Sequence, residues 1–406
     1  MHGLLISICV ALCIIGCSGG GGSGSSSPVP ATGTPSATVK NVMSISIDAG
    51  PANAVNVPFV SVTLCSPGST TNCQTIDHVI VDTGSSGLRV ISSVLSAGLN
   101  LPQRADSSGN PLVECLQFAD GYSWGPVKVA DAQFGGESVT SLAIQVIGDP
   151  GFPAAPASCS TTGVAENTVK AFGGNGILGV GLFQQDCGSA CAQTTPQPGY
   201  YYACSSGSCN PVTVDLAQQV SNPVGLFATD NNGVAVVLPS IGAAGAENVS
   251  GSLIFGIGTQ SNNGLGNAAI FQVDPVSGAV STKFNNRNYS GFIDSGSNAL
   301  YFSDALTAAC TGIAKGFYCP EATQQMTASM GTNSLNGKIN FSVANADALF
   351  NNNRLFTSFN NLAGPTGTGQ GLQTFDWGLP FFFGRTIFTA LENRSTPAGN
   401  GPFYAY

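Results

Sequence analysis

Short apolar runs cut by Gly, Asn, Pro and Ser dominate this chain. Residues 43–47 alternate apolar and polar, and 57–64 read as a second strand. Period-two alternation of this kind predicts strands with one buried face. Residues 116–122 and 125–129 surround a glycine turn and predict a hairpin, followed by 133–136. Further strands are expected at 251–256, 338–343 and 354–359, and a buried Phe-rich run at 378–392. A short helix is expected only at 214–220. Charged residues make up 8% of the chain and glycine 53 of 406 residues, so the long Ala/Leu/Glu/Lys stretches that helices need are missing. The pattern predicts an all-β protein. Its length suits two lobes of ~150–200 residues, here 39–222 and 223–406.

One pattern occurs twice. Val79-Ile80-Val81 runs into Asp82, then Thr83-Gly84-Ser85-Ser86-Gly87, then Leu88-Arg89-Val90. The second copy is Gly291-Phe292-Ile293-Asp294-Ser295-Gly296-Ser297-Asn298-Ala299-Leu300-Tyr301. Each is an apolar strand ending in Asp, followed by Thr or Ser, Gly and Ser. An Asp at the end of a buried strand is costly unless its charge is satisfied. The small residues after it leave backbone N–H groups and hydroxyls free to do so. Duplication suggests two half-molecules that each bring one carboxyl to a shared site. Two facing carboxyls share one proton and titrate as a pair. Such a pair can hold a water, one member acting as base and the other as acid, with no metal or cofactor.

These residues resemble the paired active-site loops of the pepsin-like aspartic peptidases. The resemblance implies a bilobal fold with pseudo-twofold-related β lobes and a cleft between them. It makes Asp82 and Asp294 the catalytic pair, Thr83 and Ser295 cross-linked hydroxyls beneath them, and Ser85 and Ser297 hydroxyl supports, with Gly84 and Gly296 in the turns. It makes the hairpin the flap that closes over substrate, with Phe118, Asp120, Gly121, Tyr122 and Trp124 at the flap and cleft. The family usually has Tyr near the flap tip, where Phe118 falls, and Trp in the first loop, where Arg89 falls. Those two side chains hydrogen-bond to each other in the family, and Tyr122 or Trp124 is the expected substitute here. Ile177-Leu178-Gly179 resembles the segment that packs beneath the Asp loop. Residues 251–256 resemble the opening hairpin of the C-terminal lobe. The family's Gly-Asp pair is missing from the closing stretch, 378–392. The sequence is also similar to a group of bacterial lipoproteins with the same paired motifs.

Composition removes other chemistries. The net charge is −9 with 12 Lys plus Arg, so no basic surface is available for nucleic acid. The only histidines are His2 and His78, which leaves little for a Ser-His-Asp or Cys-His site. His78 reads as a polar residue at a strand edge. Gly174-Asn175-Gly176-Ile177-Leu178-Gly179 matches a dinucleotide fingerprint formally, but no βαβ frame surrounds it.

Residues 1–16 read as an export signal whose apolar stretch is too short to span a bilayer, and Cys17 as the lipid-bearing residue of a lipoprotein. Residues 17–38 form a Gly/Ser/Pro linker with a reach of about 25 Å. Ten cysteines follow Cys17, an even number that predicts disulfides in an exported chain. Cys65–Cys73 and Cys310–Cys319 are expected local pairs. Cys187, Cys191, Cys204 and Cys209 admit three pairings or, as a rival, a zinc knuckle. Cys115 is left with Cys159. The chain is therefore expected to be an envelope-anchored, monomeric aspartic endopeptidase whose cleft takes an extended peptide or protein substrate, the membrane being reached through its lipid. The alternative is a non-catalytic binding protein with the same cleft. A two-carboxylate glycosidase is a third possibility that nothing in the loops favours.

Overall fold

The protein is described by a computed structural model covering residues 40–205, 207–331, 337–366 and 373–406. The expected signal, the expected lipid-bearing Cys17 and the whole linker, 17–38, lie outside these residues. Twenty-five strands and only two short α-helices, Val169–Phe172 and Ala346–Asn352, form the described chain. The fold is all-β and bilobal.

Each lobe builds the same local device around its Asp. In the first, the strand Cys73–Asp82 pairs in parallel with Gly176–Val180, which in turn pairs antiparallel with Ser86–Ile91. In the second, Arg287–Ile293 pairs in parallel with Thr374–Trp377, which pairs antiparallel with Leu300–Phe302. The inserted strand is buried on both faces, which explains its apolar sequence without alternation in Gly176–Val180. The lobes are joined by one continuous sheet in which Val42–Ile47 pairs along its full length with Val249–Phe255. Asn56 adds a polar clasp: its side-chain amide donates to Asn298 and Phe359 carbonyls at 2.8 and 2.9 Å and accepts from the Phe359 N–H.

Most expected strands are present, but the flap hairpin is shifted: it turns at 118–121, inside the expected strand 116–122, and Gly121–Phe134 is one continuous strand through the expected turn. Residues 354–359 are a correction: they are not a strand. The helix Ala346–Asn352 precedes them, and Thr357 and Ser358 donate to the single carbonyl of Ala246 rather than to a ladder. Of the helix expected at 214–220 only one 3₁₀ turn, Leu216–Gln218, forms. His78 sits at a bulge in its strand with a left-handed φ of 48°, between Asp48 and Asp77.

The flap is more than a hairpin. Its strands are Leu112–Gln117 and Gly121–Phe134, turned at 118–121. Tyr201–Ser205 pairs with the outer edge of the first, and Val164–Ala165 pairs with the second. The Cys115–Cys159 disulfide ties the first strand to the loop outside it, and Gln117 donates to the Ser158 and Cys159 carbonyls. Cys187–Cys191 and Cys204–Cys209 are the pairings found in the four-cysteine cluster, so its thiols are engaged in disulfides and not in a zinc knuckle. Both flap edges are thus occupied, which predicts a rigid flap. Replacing Cys115 and Cys159 together by Ser is expected to cost about 2–5 kcal/mol. Urea unfolding would read the loss, and hydrogen exchange should rise across 112–122 before the rest of the chain.

Candidate active site

The two Asp loops meet at the centre of the molecule with reciprocal bonds. The Thr83 N–H donates to Ser295 Oγ at 3.1 Å, and the Ser295 N–H to Thr83 Oγ1 at 3.0 Å. Each hydroxyl then donates to a carbonyl of the opposite Asp strand, Thr83 to Ile293 at 2.9 Å and Ser295 to Val81 at 2.7 Å. Four hydrogen bonds between two turns fix the carboxyls relative to each other. The carboxyls are held alike. Gly84 N–H donates to Asp82 Oδ1 at 2.7 Å and Ser85 Oγ to Asp82 Oδ2. Gly296 N–H donates to Asp294 Oδ1 at 2.8 Å and Ser297 Oγ to Asp294 Oδ2 at 3.0 Å. Glycine is required in both turns: a Cβ on Gly84 would lie 2.8 Å from the Asp294 carboxyl carbon, and one on Gly296 2.8 Å from Asp82 Oδ1. The structure thus brings Asp82, Asp294, Thr83, Gly84, Ser85, Ser295, Gly296 and Ser297 into one cluster.

Both carboxyls are buried, Asp82 at 0% and Asp294 at 1% exposure. Burial raises Asp82 above the usual carboxylate range, while hydrogen bonds from its own loop and the charge of Arg89 oppose the shift. Burial raises Asp294 further, and the neighbouring Asp82 and Asp376 add to it. The pair therefore keeps a proton that its two carboxyls share.

A cavity opens beside the pair, lined among others by Gly84, Ser85, Leu116, Asp186, Phe292 and Tyr404, with Asp82 and Asp294 themselves behind its wall. Tyr404 comes from the C-terminal strand Phe403–Ala405 and was not visible as a site residue in the sequence. Its phenol is pushed up by burial and by the charges of Asp294, Asp82 and Asp376. The expected flap residues do not line this cavity; Leu116 represents the flap there. Phe118 is buried against Phe172, with ring centroids 5.8 Å apart.

Neither Tyr122 nor Trp124 replaces the family's hydrogen-bonded Tyr–Trp pair, a second correction. Trp124 faces away from Arg89, because alternate residues of a strand take opposite faces. It packs edge-on against Tyr202, 5.3 Å away, in a cluster that Tyr122 joins from its rim. Arg89 instead makes a buried ionic link. Its Nη2 lies 2.5 Å from Glu114 Oε1 and 3.3 Å from Asp186 Oδ2, and Nη1 donates to the Ser86 carbonyl at 2.8 Å. The Tyr201 hydroxyl donates to Asp186 at 2.8 Å. Charge thus connects the first Asp loop, the flap strand and the wall of the cavity where two aromatic side chains would otherwise do so.

A bilobal β fold with mirrored Asp loops is the architecture of pepsin-like aspartic proteinases. A crystal structure of aspartic proteinase from Irpex lacteus superposes with a TM-score of 0.52 at 15% identity, covering 90% of this chain and 96% of that one. The chain itself belongs to the family described as "Protein of unknown function (DUF3443)", whose model matches residues 37–406. No curated protein matches it.

Proposed function

We propose that the chain is an aspartic-type endopeptidase. Asp82 would take a proton from a water held between the carboxyls while Asp294 gives one to the peptide carbonyl oxygen. The water oxygen bonds to the carbonyl carbon, and later collapse breaks the C–N bond with a proton going to the leaving nitrogen. The observation that supports this most is the reciprocal Thr83–Ser295 bonding, which holds two facing carboxyls directly behind the turn, Thr83–Ser86, that lines a cavity. Extended peptide would lie in that cavity. Cys17 would carry lipid and place a monomer at a bacterial envelope, facing the periplasm or exterior.

The occupied flap edges favour a second reading, a binding protein that holds a peptide or envelope component without cleaving it. The two separate on one assay. Full-length protein would be incubated with an unfolded protein substrate from about pH 3 to 7, with and without an inhibitor that mimics the tetrahedral intermediate. Inhibitor-sensitive cleavage supports the peptidase. Its absence from folded, disulfide-bonded protein supports the binder.

A further inference from the structure

On its first-lobe side the cavity has three walls that are distant in sequence. The Asp82 turn contributes Ser86, the stretch after the inserted strand contributes Phe183 and Asp186, and the flap strand contributes Leu116. Arg89 lies behind these walls, fully buried, and is bonded to all three pieces of chain. Its Nη1 donates to the Ser86 carbonyl at 2.8 Å, and its Nη2 to Asp186 Oδ2 at 3.3 Å. Nε and Nη2 donate to Glu114 Oε1 at 3.2 and 2.5 Å. Glu114 precedes Leu116 by two residues on one strand, so both stand on the same face.

The walls are also tied to one another. The Ser86 hydroxyl donates to the Phe183 carbonyl at 2.6 Å. Asp186 accepts from the Tyr201 hydroxyl at 2.8 Å and from the Cys187 N–H at 2.9 Å. Tyr201 stands opposite Glu114 in the neighbouring flap strand, which closes the ring. A planar guanidinium reaches several partners in fixed directions, and an ammonium does not. Stability alone does not call for this arrangement, because apolar side chains of similar volume stabilise a buried site as well or better. Directed bonds add fixed distances between the walls. The carboxyls themselves are held without Arg89, through Gly84, Ser85 and the Thr83–Ser295 bonds.

We propose that Arg89 is a positioning residue that sets the width of the substrate cavity, by fixing the flap strand and the wall at 183–187 against the Asp82 turn. The proposal rests on the peptidase reading. Arg89 touches no reacting atom. Its loss leaves the two carboxyls in place and frees the walls that grip the substrate to move independently. Binding then weakens alike in the ground state and the transition state, which raises KM and keeps kcat.

The test is steady-state cleavage by wild type, Arg89→Lys and the double variant Arg89→Met/Glu114→Leu. Arg89→Lys keeps the charge but not the three-way reach, and its KM is expected to rise on the order of tenfold with kcat within about twofold. The double variant replaces the ion pair by apolar side chains, so urea unfolding should find it no less stable than wild type. It carries the test if Arg89→Lys does not fold, and its KM should be raised as well. A wild-type KM in the stable double variant overturns the proposal, because the walls then need only filling. A loss confined to kcat also overturns it, because Arg89 would then act on the carboxyls. If the wild type cleaves nothing, the peptidase reading fails, and hydrogen exchange of the full chain reads the pinning instead. Amides of 112–117 and 183–187 should exchange faster in the double variant, with those of 249–255 unchanged. Unchanged exchange in either wall overturns the proposal.

Discussion

Asparagine at position 82 or at position 294 is expected to lower cleavage by at least about 10²–10⁴-fold while leaving the fold intact. That factor is the usual contribution of a positioned acid or base. Each substitution removes one of the two roles and destroys the shared proton. The fold should survive because the turns are held by Thr83, Ser295 and backbone groups, and these bonds do not use the carboxyls. Asparagine also keeps an acceptor oxygen for the Gly84 or Gly296 N–H. Stability at neutral pH should not fall, since a buried acid with a raised pKa is replaced by a group that never ionises. Steady-state cleavage and urea unfolding on the same samples would check both halves. Full activity in either variant would remove the shared-carboxyl mechanism.

The site was legible where chemistry and local geometry coincide in a few adjacent residues. Asp82 and Asp294 each follow an apolar strand and precede a turn with hydroxyls and glycine, so strand, turn and carboxyl can be read from one stretch. Gly179 was legible through the family resemblance of Ile177-Leu178-Gly179, and the reason for the glycine is the close approach of the Asp loop: a Cβ there would lie 2.6 Å from Ser85 Oγ. Asp376 escaped because Phe375-Asp376-Trp377-Gly378 reads as a strand with one polar position. The signal was present all the same: laid over Gly176-Ile177-Leu178-Gly179, it is the same device with a carboxyl in the first apolar place. The flap sheet was not legible, since the pairing of Leu112–Gln117 with Tyr201–Ser205 joins residues far apart in sequence. The buried role of Arg89 depends likewise on Glu114 and Asp186, and only the fold brings those together.

Acid rather than neutral pH is expected to stabilise the whole chain, and Glu166 should account for much of the effect. Glu166 follows the strand that borders the flap, and its N–H donates to the Tyr122 carbonyl at 2.8 Å. The residue is 3% exposed, and Oε2 has no hydrogen-bond partner among the described residues. Burial first, and then the charge of Asp120 in the flap turn, push it up to about 9. The unfolded chain returns it to the ordinary glutamate range. Between roughly pH 4.5 and 9 the native state therefore binds a proton that the unfolded state has lost, and stability falls as pH rises through that window. At about 1.4 kcal/mol per pH unit, the loss by pH 7 is on the order of 3 kcal/mol from this group alone. Asp82, Asp186, Asp294 and Asp376 are also raised by burial and act in the same direction. Urea unfolding at pH 5 and at pH 7.5 should show the stronger fold at pH 5. Glu166→Gln occupies the same volume and cannot ionise, so it should recover on the order of 3 kcal/mol at pH 7 and make the profile shallower, leaving the slope that the aspartates contribute. Parallel profiles for the variant and the wild type would mean that Glu166 is already ionised in the native flap.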